Sequence, residues 1–226
     1  MTVDIRANLE RTRDRIAGAA ERSGRTLEDV TLVAVAKTFS VQLVEEAVAA
    51  GVADIGENRA QELEDKVAFL GNRARWHFVG HLQTNKVRTV VGGIVLLHSV
   101  DRYKLAEAVA RRARSLEIVQ DVLIEVNISG EPSKHGVEPA AARDLASEVA
   151  ALEGVRVRGL MTMPPLTDDP EDSRPHFRDL ASLRDEVVES LPDATELSMG
   201  MTRDFEVAVE EGATLVRIGE AIFGPR

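Results

Sequence analysis

Eight short runs rich in Val, Ile and Leu recur along the chain, each separated from the next by a longer stretch with helical spacing of its apolar residues. They are 31–37 (TLVAVAK), 53–57 (ADIGE), 75–80 (RWHFVG), 94–100 (IVLLHSV), 121–127 (DVLIEVN), 155–163 (VRVRGLMTM), 196–200 (ELSMG) and 214–224 (TLVRIGEAIFG). Near-continuous apolar runs such as LVAVA suit strands buried on both faces, and strands alternating with helices build a parallel sheet. Helices are expected over 41–50, 59–70, 85–91, 102–116, 139–152, 172–190 and 203–211. Ser40, Asp101 and Pro139 supply start signals, and Gly51 and Gly154 fall just past the ends. Eight such units predict a closed (β/α)8 barrel of the TIM type more than an open doubly wound sheet. The eighth strand lacks a following helix, and an extra N-terminal helix over residues 3–22 is expected to cover that gap. No composition shift or linker divides the chain, so 1–226 reads as a single domain. The acidic, proline-rich segment 164–175 reads as a mobile loop at the barrel mouth.

The 226 residues contain no Cys, which excludes a disulfide scaffold, a thiolate nucleophile and a cysteine-ligated metal. Acidic side chains number 38 against 28 basic, a formal charge of -10 that opposes docking on nucleic acid or an anionic membrane. No signal peptide or membrane segment is read, which leads us to expect a cytoplasmic protein and, with its charged helices, a monomer. Five of the basic residues are Lys, at 37, 66, 86, 104 and 134. An amine nucleophile has to come from these or from the N-terminus.

In a barrel, the reacting groups lie at the C-terminal ends of the strands. Lys37 closes the first run with an amine, and desolvation there favours the neutral form that attacks a carbonyl. A lysine snorkelling from the sheet end is the plainer reading. Ser198, Gly200 and Thr202 lead from the seventh strand into a helix, and Arg217 with Gly219 ends the eighth. Together they suit a phosphate, through helix N–H groups, close backbone approach and a guanidinium. Capping by Thr202 with Asp204 in the first turn is the competing account. His77 and His81 run from a strand into a loop, where their spacing need not converge, and no third ligand is evident, so no metal is expected. Lys134 lies in a loop that faces the mouth. Lys66, Lys86 and Lys104 lie in helical stretches and read as surface charges.

Several segments are recognisable together: LVAVAKT around Lys37, IGENRAQE from Ile55, WHFVGHLQTNK from Trp76, HSVDR from His98, VNISGEPSKHG from Val126, RGLMTM from Arg158, LSMGMTRDFEVAV from Leu197 and VRIGEAIFG from Val216. In order and wording the chain resembles the pyridoxal phosphate homeostasis proteins, which are similar to the barrel domain of alanine racemases. The resemblance implies a fold-type III pyridoxal 5'-phosphate (PLP) barrel in which Lys37 holds PLP as an internal aldimine. It assigns phosphate contacts to Ser198, Gly200, Thr202, Arg217 and Gly219, and a contact near the pyridine ring to Asn58. Lys134 matches a family lysine suspected of helping PLP move on and off. It further implies a carrier and regulator of the vitamin B6 pool, with PLP-accepting apo-enzymes as partners and no catalytic turnover. A racemase of this fold needs a second base, commonly a tyrosine from another domain. The chain ends at Arg226 and its one tyrosine, Tyr103, lies in a helix, so two-base chemistry is not expected. A PLP-dependent racemase or decarboxylase with Lys37 alone as base, and a Schiff-base aldolase, remain the alternatives.

Overall fold

A computed structural model describes residues 3–225, so Met1, Thr2 and Arg226, the ends of the expected domain, lie outside the described residues. The strands are β1 (Thr31–Val35), β2 (Asp54–Glu57), β3 (Arg75–Phe78), β4 (Leu96–Val100), β5 (Gln120–Glu125), β6 (Val155–Met161), β7 (Glu196–Met201) and β8 (Leu215–Ile218). All pair in parallel in sequence order, and β1 against β8 closes the barrel with Thr31 opposite Leu215 and Val33 opposite Arg217. The helices are α1 (Ile5–Arg22), α2 (Val41–Ala49), α3 (Ala60–Leu70), α4 (Val87–Val90), α5 (Tyr103–Ser115), α6 (Pro139–Ala150), α7 (Arg174–Val188), α8 (Phe205–Glu210) and α9 (Glu220–Phe223). The expected (β/α)8 barrel is therefore the observed one.

Helix α1 forms because Ile5, Leu9, Thr12, Ile16 and Ala19 repeat at helical spacing on its buried face, and Asp4 accepts a hydrogen bond from Ala7 N at its start. It lies across the gap beside β8. Asn8 Nδ2 donates to Ile222 O at 2.9 Å, and Arg15 and Arg22 pair with Glu206 and Glu210 of α8. The end of the last predicted strand is a correction. Residues 220–223 turn into α9 after Gly219 instead of continuing β8. Helical geometry brings Phe223 against Phe39, with ring centroids 4.9 Å apart, and buries Ile222, which an extended continuation beyond the barrel rim would leave without cover.

Two cores result. The larger lies between sheet and helices, while Val33, Leu96, Leu123, Met161 and Leu215 form a small apolar plug inside the barrel. Much of the remaining interior is polar: Asp54, His77, His98, Ser198 and Arg217 are all buried there. Such burial is tolerable only when every group finds a partner.

Candidate cofactor site at the barrel mouth

A cavity of about 610 Å³ opens at the C-terminal ends of the strands. Lys37, Asn58, Thr202, Arg217 and Gly219 line it, so five of the seven residues singled out in the sequence meet on one surface. Pro165 and Leu166 of the acidic loop form part of its rim.

The backbone around Lys37 is fixed from two sides. Lys66 Nζ on α3 donates to Ala36 O at 2.7 Å and pairs with the fully buried Glu57 at 2.5 Å. Just after Lys37, Thr38 takes a left-handed φ of 69°, which is costly for a β-branched residue, and its N–H donates to Glu62 Oε2 at 2.7 Å. Burial pushes the Glu57 carboxyl up, and Lys66 only partly offsets this. Lys66 is thus no surface charge. It occupies the same buried stripe of α3 as Leu63 and Leu70, a position the helical spacing could have revealed.

Asn58 follows β2, and its side-chain Oδ1 is buried without a hydrogen-bond partner among the described residues. Its position depends on Gly80, where an added Cβ would come within 2.4 Å of Asn58 O.

Arg217 is buried in the cavity wall. Nη1 donates to Ser198 Oγ at 2.6 Å and Nη2 to Thr162 O at 2.8 Å, yet no carboxylate lies within ion-pair distance among the described residues. Burial lowers its pKa to about 10, with Asp204 and Glu125 acting in the opposite sense. A cation in this state is a strong attractor for an anion entering the cavity.

Ser198 and Gly200 stand behind the lining residues of the cavity, next to Met201 and Thr202, which line it. The Ser198 hydroxyl lies 2.8 Å from His98 Nδ1, His98 Nε2 lies 3.0 Å from His77 Nδ1, and His77 Nε2 lies 3.0 Å from Asp54 Oδ1. Arg75 completes the line with two bonds to Asp54. One assignment satisfies every contact without charging either ring: each donor points toward Asp54, and Ser198 accepts from Arg217 while donating to His98. Burial, followed by His77 and Arg217, depresses His98 well below the usual imidazole range. Burial raises Asp54, but hydrogen bonds from His77 and Arg75 outweigh it and hold the carboxyl low. Gly200, at φ 89°, faces α8, where a Cβ would meet Ala208 at 2.5 Å. It serves helix packing. The turn after β7 is tied by Asp204, not Thr202. Asp204 Oδ1 accepts from Met201 N and Oδ2 from Ser173 Oγ.

Other groups at the mouth were missed or misplaced in the sequence. Glu125, at the end of β5, has an Oε2 without a partner among the described residues, and burial together with Asp101 raises its pKa to about 7. His77 and His81 part company: His77 belongs to the interior chain, whereas His81 lines the cavity and stacks on His135, with centroids 3.9 Å apart. Burial and His135 lower the His81 pKa. Lys134 Nζ donates to Met163 O at 3.1 Å, near the cavity rim. No helix is long and apolar enough to cross a membrane among the described residues.

Residues 5–226 match the family model described as alanine racemase, N-terminal domain. The pyridoxal phosphate homeostasis protein of Aquifex aeolicus is 48% identical over 220 residues, covering 96% of each chain. That of Escherichia coli is 38% identical over 227 residues, covering 99% of this chain and 97% of its own. Among solved structures, PipY of Synechococcus elongatus with PLP bound superposes with a TM-score of 0.81 at 34% identity, covering 92% of this chain and all of PipY. An alanine racemase of Clostridium difficile, at 14% identity and a TM-score of 0.77, shares the fold over 99% of this chain and 60% of its own. The chain belongs to the alanine racemase N-terminal domain family and, within it, to the pyridoxal phosphate homeostasis proteins.

Proposed function

We propose that this protein binds pyridoxal 5'-phosphate reversibly through a Schiff base to Lys37 and acts as a carrier in vitamin B6 homeostasis, without catalytic turnover. The observation that carries this reading is the shared cavity wall. A primary amine at the end of β1 and, at the end of β8, a buried guanidinium without a carboxylate partner among the described residues face the same space. The residues present suit such a ligand, because the unpartnered Asn58 amide oxygen also lies at this wall. When bound, pyridoxal phosphate supplies an aldehyde that condenses with an amine, releasing water.

In this reading Lys37 supplies the amine, held in place by the Lys66, Glu57 and Glu62 contacts on either side of it. Arg217 and the backbone at Thr202 and Gly219 receive the anionic part of the ligand. Ser198 acts one step behind, orienting Arg217, and Gly200 acts through the placement of α8. The name shared by the homeostasis proteins and the PLP-bound PipY support the cofactor. The carrier role is supported by the name that the homeostasis proteins of Aquifex aeolicus and Escherichia coli share. A site open at the mouth supports transfer of PLP to accepting apo-enzymes.

Purified protein mixed with PLP is expected to gain visible absorption that Lys37→Ala lacks. Mass spectrometry after borohydride reduction is expected to locate the adduct on Lys37. An adduct confined to Lys134, or none, would reject this reading. A second reading, amino-acid racemisation or decarboxylation, draws on His81, a proton-accepting ring on the same wall. Deuterium exchange at Cα of free amino acids, lost in Lys37→Ala, would favour it.

A further inference from the structure

We propose that His81, Asp101 and His135 form a site for a divalent transition-metal ion of the Zn²⁺ class at the edge of the mouth. The three residues come from three successive strand ends: the loop after β3, the residue following β4 and the loop after β5. Their potential ligand atoms all lie within 4.8 Å of one another.

The spacing of the first pair is informative. His81 Nδ1 and Asp101 Oδ2 are 3.4 Å apart, too far for a good hydrogen bond. Two ligands on one tetrahedral ion with bonds of ~2.1 Å stand about 3.4 Å apart, which is the distance found. The carboxylate is also held from outside. Arg102 Nη1 binds Asp101 Oδ1, fixing the group's orientation and leaving Oδ2 turned to His81, as an outer partner of a metal-binding carboxylate does.

The third ligand has to move. The His81 and His135 rings stack at 17°, which sets their lone pairs side by side instead of convergent. His135 is exposed on its loop, so rotation of its side chain can bring a ring nitrogen onto the ion without disturbing the barrel. Two imidazoles and one carboxylate suit Zn²⁺, Co²⁺ or Ni²⁺ better than Mg²⁺ or Ca²⁺, which prefer oxygen. Three protein ligands leave a coordination position open, and an ion there would join the loops after β3, β4 and β5 beside the cavity wall that His81 shares.

The test uses tag-free, metal-stripped protein without PLP, since that aldehyde is itself a chelator. The outcome is thus independent of the cofactor reading. Titration with Co²⁺ is expected to give one equivalent with visible d–d absorption that Zn²⁺ displaces. His81→Gln, Asp101→Asn and His135→Gln are each expected to weaken Zn²⁺ binding about tenfold or more. His176→Gln, on α7, serves as the control and leaves it unchanged. Absence of saturable Zn²⁺ binding, or equal binding by wild type and His135→Gln, overturns the proposal. Because His135 is exposed, that variant decides the matter even if the other two fold poorly.

Discussion

Lys66 and Glu57 form a buried ion pair at 2.5 Å directly behind the candidate nucleophile, and the same ammonium holds Ala36 O, one residue before Lys37. The pair links α3 to the ends of β1 and β2. Glu62 extends the arrangement to the Thr38 amide, so a strained turn is held by charges that lie outside the cavity lining.

Removing only one partner leaves the other charge buried and unpaired. Lys66→Ala is expected to cost about 3–5 kcal/mol of unfolding free energy in urea. The double variant Lys66→Met with Glu57→Leu should recover most of that loss while still weakening PLP binding, because Ala36 O loses its donor. Equal instability of the single and double variants would contradict this account.

Arg217→Ala removes the cation that awaits an anion. A charge-assisted contact contributes about 1.5–3 kcal/mol, so the PLP dissociation constant should rise about 10- to 150-fold. Ser198→Ala is expected to have a smaller effect, since its hydroxyl only steadies Arg217. Equilibrium dialysis with fluorescence detection ranks the two, and an unchanged constant in Arg217→Ala would remove it from the anion site.

His98 and Glu125 give pH dependences of opposite sign. The folded state holds His98 neutral well below pH ~6.5, where an unfolded histidine takes up a proton. The unfolded state then binds more protons, so this group makes stability fall as pH drops below about 6.5, and His98→Gln should remove that slope. Urea midpoints between pH 7.5 and 5 provide the measurement.

The folded Glu125 carboxyl keeps its proton up to about pH 7, whereas the unfolded one releases it near 4.5. Between these values the folded state binds more protons. This contribution to stability is therefore present at low pH and lost as pH rises through 7. Glu125→Gln should be more stable than wild type at pH 8, by about 3 kcal/mol at most, with the gain vanishing near pH 4. A gain independent of pH would rule out carboxyl ionisation as its source.

Gly80→Ala drives a methyl group into the Asn58 backbone. The expected cost is about 1–3 kcal/mol of stability, with weaker PLP retention as Asn58 shifts. Thermal melts with and without PLP separate the two effects, and a variant that binds as wild type would show that Asn58 placement is immaterial.

What the sequence determined by itself was the order of elements and the residues at their ends. Alternating apolar runs and helical stripes are local properties, carried by neighbours in the chain, and they located all eight strands and the helix that covers the gap. Barrel closure then puts every strand's C-terminal end at one mouth, which is why Lys37, Asn58, Arg217 and Gly219 could be named together. Tertiary structure alone decided which way the polar groups turned. Ser198 joins an interior chain whose other members, His98, His77 and Asp54, lie on three different strands. Lys66 reads as solvated in the sequence because its partner Glu57 lies on another element, and His81 meets Asp101 and His135 only once the loops after β3, β4 and β5 are side by side. A buried polar group is positioned by its partners, and here those partners are brought together by closure of the sheet, which no local pattern encodes.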